Sequence, residues 1–236
     1  MYIGVSENKI ITKVEKAEPP VIIWYGSSIA QGKSASIPSA AYINQLNLAN
    51  YPKFQIYNFG FSSNGTFSLT HSLTHLLTCL LTHLLTYLLI LLLGKMDLGV
   101  MSYLNSIPNP LAFVIDCLPN MSYDEVANNT IPLVDSIRST HENKDLPIIL
   151  VESAIYGSEW WDSTMKYNQQ KKRDTLRAQY DLLMAQQYTG IQYVEGSGLI
   201  SPQEIAMCYS VDGTHPNDLG MNKMFIYWHN YLNNMF

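Results

Sequence analysis

A serine near the start of the chain and an aspartate–histidine pair near its end are the residues whose types could carry chemistry together. Ser28 lies in the segment YGSSIAQG, and Asp212 and His215 lie three residues apart in VDGTHPNDLG. Serine becomes a nucleophile when a base takes its proton, histidine is the natural base, and a carboxylate orients the imidazole. If the fold brings the three together, they can attack an ester carbonyl.

The stretch from Asp212 to His215 admits two interpretations. A helical turn would place these two side chains next to each other, and Gly213 and Pro216 would stiffen that turn. Alternatively, Asp212 caps a helix and His215 is an ordinary surface histidine. Ser28 likewise has a second interpretation, as part of a Gly-Ser-Ser turn that only leads into a helix.

Ester hydrolysis also needs hydrogen-bond donors for the oxyanion that forms on the carbonyl. The candidates are the backbone N–H of Ser28, the backbone N–H of Gly60 and the side-chain amide of Asn120. Gly60 can equally be a tight turn, and Asn120 can be the start of a helix. These roles therefore depend on whether the elements before each residue converge.

Those elements predict a parallel sheet covered by helices on both faces, because apolar strands alternate with helical patterns. The first strand is Val21–Tyr25, an unbroken apolar run that ends at Gly26 and is typical of a strand buried on both faces. Further strands are predicted over 54–60, 111–117, 147–153 and 191–196, and helices over 38–50, 96–107, 166–188 and after 220.

One more helix is predicted from the capping-box spacing of Ser122 and Glu125, and Pro132 should kink or restart it. Right-handed crossovers place the carboxyl ends of all the strands at one edge of the sheet, where ligands bind in such folds. Ser28 and His215 are expected to meet at that edge.

Composition excludes several classes of protein. The 236 residues are 47% hydrophobic and 14% charged, which suits one globular domain with a large core. A net charge of −5 without a basic run argues against a nucleic-acid partner. Three scattered cysteines argue against a disulfide framework and a structural zinc site. No signal peptide is visible at the N-terminus, and the localisation is left open.

Four sequence blocks, taken jointly and in order, resemble the SGNH hydrolase (GDSL-type esterase) superfamily: YGSSIAQG, NFGFSSNG, DCLPN and VDGTHPNDLG. The residues of these blocks are similar to those of one branch in particular, in which a small β-sandwich precedes the hydrolase domain. The resemblance covers 21–236 apart from 66–94. It implies a three-layer α/β/α, flavodoxin-like fold with about five parallel strands, and residues 1–20 are interpreted as the remnant of the β domain with its linker.

The resemblance also implies roles for individual residues. Ser28 is the expected nucleophile, His215 the base and Asp212 the residue that orients it. Gly60 and Asn120 are expected to form the oxyanion hole together with the backbone N–H of Ser28. The expected reaction is hydrolysis of a small or carbohydrate-borne acyl ester through an acyl-enzyme, without a metal or cofactor.

Three aromatic residues after the fourth predicted strand are candidates for the substrate pocket: Tyr156, Trp160 and Trp161. Aromatic rings at the functional edge of the sheet can line an acyl or sugar pocket. The alternative is that they pack against the next helix.

Residues 66–94 interrupt the blocks with a leucine-rich insertion, in which 69–88 repeats every four residues. A helix is predicted there because leucine favours helices. Four interpretations stay open: a translated nucleotide repeat, a lid over the site, a membrane-associated helix, and a metal site on the side chains of His71, His75, Cys79 and His83. Membrane contact is expected only through this insertion.

Two alternatives to an active esterase follow from that interruption. The chain can be a catalytically impaired fragment of such an enzyme. It can also be a membrane-associated or interaction protein that the Leu-Thr-His repeat organises.

Overall fold

The fold is built on one parallel sheet in a computed structural model that describes residues 18–62 and 94–236. The five strands are β1 (Val21–Ser27), β2 (Gln55–Phe61), β3 (Pro110–Asp116), β4 (Ile148–Val151) and β5 (Ile191–Val194). Their order is β2-β1-β3-β4-β5, and every neighbouring pair is parallel. The predicted flavodoxin-like sheet is confirmed. The predicted β remnant (Met1–Lys16) and the repeat over 69–88 lie outside the described residues.

Seven helices belong to the described residues: α1 (Ser28–Gln31), α2 (Tyr42–Asn50), α3 (Leu98–Leu104), α4 (Tyr123–Thr140), α5 (Ser163–Ala185), α6 (Ile205–Cys208) and α7 (Asp218–Met235). Short 3-10 turns cover Pro38–Ala40, Leu118–Asn120, Gly157–Trp160 and Gly196–Gly198. Within this set, no helix combines the length and the apolar character that crossing a membrane would need.

The helices form two layers, one on each face of the sheet. Alternate residues of β1 point to opposite faces, so Ile22 and Trp24 join one core while Ile23 and Tyr25 join the other. α2 and α7 pack on the first face, where Trp24 meets Trp228 edge-on with ring centroids 4.7 Å apart. α3, α4 and α5 cover the second face. Burial on both faces explains why β1 reads as a continuous apolar run.

The structure differs from the sequence prediction at some element boundaries. The helix predicted over 38–50 is a 3-10 turn followed by α2, because Ala41 between them has an extended backbone. The helix predicted over 166–188 begins earlier, at Ser163, because the Asp162 side chain accepts the N–H groups of Thr164 and Met165.

The helix that begins after Ser122 has the predicted capping box, in which the side chains of Ser122 and Glu125 each accept a backbone N–H of the other residue. Of the two expected effects of Pro132, a kink or a restart, the restart does not occur, since α4 runs from Tyr123 to Thr140 without a break. Four of its apolar side chains are fully buried against the sheet, and this burial outweighs the one backbone hydrogen bond that proline cannot donate.

Candidate active site

Ser28 stands at the first position of α1, directly after β1 ends. The preceding Ser27 caps the helix, because its hydroxyl accepts the N–H of Ile29 at 3.3 Å. Ser28 is 8% exposed. The strand-to-helix turn thus presents one serine hydroxyl at the carboxyl edge of the sheet and uses its neighbour to hold the turn.

The loop that carries Asp212 and His215 is fixed by its own backbone. Ser210 N–H donates to the His215 carbonyl at 2.8 Å, and Gly213 N–H donates to the Ser210 carbonyl at 2.9 Å. Gly213 has φ +66°, and a Cβ there would lie 2.7 Å from the Trp161 ring. Glycine therefore provides both the left-handed backbone and the space that this turn requires.

The structure brings Ser28, His215 and Asp212 into one hydrogen-bonded chain. Ser28 Oγ lies 2.8 Å from His215 Nε2, across a separation of 187 residues in sequence. His215 Nδ1 lies 2.6 Å from Asp212 Oδ2. Because an ionised carboxylate can only accept, Nδ1 carries the ring proton and Nε2 is left to accept the Ser28 hydroxyl.

The Asp212 carboxylate is stabilised in its ionised form. Its partial burial works to raise the pKa, but hydrogen bonds from His215, Thr214 and Ser210 outweigh that effect and hold the pKa of Asp212 well below its usual range. Oδ1 accepts two backbone N–H groups and the Ser210 hydroxyl at 2.8–2.9 Å. Asp212 can therefore both orient the imidazole and stabilise its cation.

Asn120 and Gly60 lie at the same edge of the sheet in different settings. Asn120 ends the 3-10 turn after β3, and its Nδ2 donates to the Phe61 carbonyl at 2.9 Å. Gly60 lies within β2, in register with Gly26 of β1. A Cβ on Gly60 would lie 2.3 Å from the backbone nitrogen of Gln31, so glycine allows α1 to approach β2.

A cavity of about 190 Å³ opens beside Ser28. Its lining combines residues predicted from the sequence with others that were not: Ser28, Ile29, Lys33, Pro119, Asn120, Tyr156, Met165, Gln169, Thr214 and His215. Gly60 does not line it. Of the three aromatic candidates, Tyr156 lines the cavity, whereas Trp160 and Trp161 are 88% and 63% exposed and lie outside it.

Lys33, Met165 and Gln169 also line the cavity, although no sequence pattern marks them as site residues. Met165 and Gln169 are one turn apart on α5, so helical periodicity places both on one face. That signal becomes useful only once the face of α5 that meets the cavity is known. Lys33 follows α1 in an exposed position without a distinguishing pattern.

Asp116 is another residue near the site that no sequence pattern indicated, at the end of β3 and in register with Gly26. It is buried, and its Oδ2 accepts the Tyr42 hydroxyl at 3.0 Å and the Trp24 indole N–H at 3.4 Å. Burial raises the pKa of Asp116 to about 7, against the lowering effect of these two donors. No group of three or more His, Cys, Asp or Glu side chains in 18–62 and 94–236 is arranged to hold a metal ion.

Comparison with known proteins gives the family and the fold. Residues 90–232 match the family model of the GDSL-like lipases/acylhydrolases. No curated protein matches the sequence. A protein from Bacteroides ovatus, described as a GDSL-like lipase, is similar in structure with a TM-score of 0.71 and 27% identity, over 98% of this chain and 57% of that one.

Two further solved structures share the fold at lower identity. The salicylyl-acyltransferase SsfX3 from a tetracycline biosynthetic pathway has a TM-score of 0.68 and 16% identity, over 94% of this chain and 56% of its own. The M. smegmatis aryl esterase has a TM-score of 0.61 and 13% identity, over 92% of this chain and 100% of its own. The chain thus spans less than two thirds of the length of the B. ovatus protein and of SsfX3.

Proposed function

Because the chain belongs to the GDSL-like lipase/acylhydrolase family, we propose that it is a serine esterase that cleaves a small or carbohydrate-borne acyl ester. The observation that carries this proposal is the hydrogen-bonded chain from Ser28 through His215 to Asp212, with contacts of 2.8 and 2.6 Å. Ser28 and His215 both line the cavity, so an ester bound there would meet the nucleophile and its base together.

The reaction proceeds in two halves. Ser28 Oγ attacks the ester carbonyl while His215 Nε2 takes its proton, and the tetrahedral intermediate collapses as His215 returns that proton to the leaving alcohol. A water molecule then gives a proton to His215 and attacks the acyl-enzyme. The acyl–Oγ bond breaks as His215 returns that proton to Ser28 Oγ, and the acid is released. Asp212 stays ionised throughout and holds the ring in the tautomer that can accept.

The oxyanion is stabilised by three donors at the carboxyl edge of the sheet: the Ser28 N–H, the Gly60 N–H and the Asn120 amide. The position of Asn120 in the cavity wall beside Ser28 supports its role. One of its two amide hydrogens is used on the Phe61 carbonyl, which holds the side chain in place. The other is available to the oxyanion.

The size of the cavity favours a small acyl group. Its volume of about 190 Å³ is below the roughly 300–1,000 Å³ of pockets that enclose drug-sized ligands. A short acyl chain fits such a space, and the alcohol part of the ester can extend past the exposed Lys33 into solvent.

Fluorophosphonate labelling and hydrolysis of 4-nitrophenyl acetate test the proposal. The wild-type chain should be labelled, and Ser28→Ala should abolish labelling and lower hydrolysis by at least roughly 10³-fold. Ser139→Ala is the matched control, because Ser139 is an exposed serine on α4 and its loss should keep labelling.

A deletion of 66–94 completes the experiment. Labelling that appears only after the deletion would show that this chain is an impaired form of the enzyme. Labelling in neither chain, or labelling that survives Ser28→Ala, would contradict the proposed function.

A further inference from the structure

Lys172 is a buried cation on α5, next to the turn that carries Asn120. The residue is 7% exposed. Its Nζ lies 3.3 Å from the Leu118 carbonyl oxygen and 3.4 Å from that of Pro119. These are the two residues immediately before Asn120, so the ammonium binds the backbone of this turn from the side of α5.

The carboxylates around Lys172 are engaged elsewhere. Glu125 faces it from α4 and is paired with Lys95 at 2.9 Å. Glu159 faces it from the Gly157–Trp160 turn and is paired with Arg173 at 2.7 Å. Arg173, the next residue on α5, adds a second positive charge.

Within the described part of the chain, the acceptors of Lys172 are the two carbonyl groups. Burying an ammonium without a carboxylate is costly, and proteins accept such costs chiefly at functional sites.

We propose that Lys172 is a positioning residue for ester hydrolysis: it holds the Leu118–Asn120 turn so that the Asn120 amide faces the cavity. This inference rests on the function proposed above. The two contacts, at 3.3 and 3.4 Å, are long for hydrogen bonds, so the turn is held chiefly by the attraction of the ammonium charge for the two carbonyl dipoles in a buried setting. The positive charge behind the cavity wall also favours the negative charge that develops on the oxyanion.

The position of Lys172 on its helix supports this role. Gln169 lies three residues earlier on α5 and lines the cavity, so Lys172 belongs to nearly the same helix face, directly behind the wall. It does not line the cavity itself. Its effect on substrate therefore passes through the turn and through its charge, while the substrate contacts remain those of Asn120.

The protonation of Lys172 gives the inference a distinctive pH dependence. Burial and the neighbouring Arg173 lower its pKa to about 8, against the opposing effect of Glu125 and Glu159. Above that pH the folded protein loses the proton, and activity should fall. The unfolded chain keeps its proton up to about pH 10.4, so this group makes the free energy of unfolding rise with pH between about 8 and 10. Activity and stability should thus change in opposite directions.

The experiment compares Lys172→Met, Lys172→Arg and wild type in 4-nitrophenyl acetate hydrolysis from pH 6 to 10, with the Ser28→Ala rate subtracted. Lys166→Met is the matched control, since Lys166 is an exposed lysine on the same helix. We expect Lys172→Met to lower kcat roughly tenfold to hundredfold at pH 7 with KM within about threefold, because the ground-state contacts are unchanged. The decrease in activity that wild type shows above about pH 8 should be absent in Lys172→Met.

Lys172→Arg separates charge from shape. A guanidinium stays protonated above pH 12, so this variant should keep its activity up to pH 10. Thermal unfolding at each pH shows whether a loss of activity follows a loss of structure. If Lys172→Met does not fold, the pH profile of Lys172→Arg alone tests the proposed role of Lys172.

A kcat of Lys172→Met within twofold of wild type, or an unchanged alkaline loss of activity in Lys172→Met or Lys172→Arg, would overturn the role of Lys172. Fluorophosphonate labelling of Ser28 in the same samples keeps that result separate from the function itself. If the wild type is labelled and active while the Lys172 variants are unaffected, the esterase proposal stands and only the role of Lys172 is overturned. A wild type that is neither labelled nor active overturns the esterase proposal, and the role of Lys172 with it.

Discussion

Asp212 and Asp116 both lie close to the turn that carries Ser28, yet their surroundings favour opposite forms of the same side chain. Asp212 is 42% exposed at its side chain and accepts four hydrogen bonds, two of them from backbone N–H groups. Asp116 is fully enclosed and accepts two, both on Oδ2. The pKa of Asp212 is held low, whereas that of Asp116 is raised to about 7.

The difference shows that proximity to the active site does not decide the charge of a carboxyl group. Burial penalises the ionised form of both, and the number and strength of the donors decide whether that penalty is overcome. Four donors overcome a partial burial at Asp212. Two neutral donors do not overcome complete burial at Asp116. Asp212 therefore suits the support of a histidine cation, and Asp116 suits a structural role.

The largest effect is expected from Asp212→Asn. An amide in this position can donate to His215 Nδ1, which moves the ring proton to Nε2 and prevents it from accepting the Ser28 proton. We expect kcat to fall roughly 10³- to 10⁴-fold with little change in the thermal midpoint. The measurement is steady-state hydrolysis of 4-nitrophenyl acetate.

Asp218→Asn is the control for this variant, because Asp218 is a surface aspartate that binds Ser36. It should stay within about twofold of wild type. More than a tenth of wild-type kcat in Asp212→Asn would remove Asp212 from the proposed mechanism.

Asp116→Asn should act on stability instead of chemistry. Because the folded pKa of Asp116 is above its unfolded value, the folded state binds the extra proton, and wild type should lose stability as pH rises from about 4 to 7. The full difference is on the order of 4 kcal/mol, of which about 2.7 kcal/mol falls between pH 5 and pH 8, and the asparagine variant should lack it. Urea unfolding at pH 5 and pH 8 measures this. Equal pH dependence in both proteins would show that Asp116 is ionised at all these pH values.

Tyr42→Phe removes one of the two hydrogen-bond donors to the Asp116 carboxylate. The hydroxyl donates to Oδ2 at 3.0 Å, so its loss should cost about 1–3 kcal/mol of unfolding free energy at pH 8, where the carboxylate is charged. The cost should be smaller at pH 5, where Asp116 is neutral. Tyr57→Phe, at an exposed tyrosine of β2, is the control in the same urea experiments. A loss of equal size at both pH values would contradict the link to Asp116.

Ser210→Ala should have the smallest effect, since it removes one of the four donors to Asp212. The two backbone donors and His215 remain, so Asp212 stays ionised and kcat should fall only about twofold to fivefold. The pH profile of kcat between pH 6 and 8 should be the same as in wild type. A hundredfold loss would mean that the Ser210 hydroxyl, and not the backbone of the loop, holds Asp212 in place.

Sequence patterns predicted the local features, which depend on residues close to one another in the chain. The apolar run of β1 and its end before Ser28, and the capping box of Ser122 and Glu125, follow from local spacing. Trp160 and Trp161 follow the fourth strand in sequence but lie outside the cavity, because neighbours in the chain do not set the direction of these side chains. A strand end identifies the right edge of the sheet, but it does not say which way a side chain in the following turn will point.

The sequence by itself determined the types of the reactive groups, the order of the strands and helices, and the family. Only the tertiary structure decided which groups meet and in which charge state. Ser28 and His215 are 187 residues apart, Trp24 and Asp116 are 92 apart, and Lys172 reaches a turn 53 residues before it. The high pKa of Asp116 depends on burial and on partners from distant segments. The donors of Asp212 lie within three residues of it, and they point at its carboxylate only when the loop has its folded backbone. Both pKa shifts therefore exist only in the folded chain.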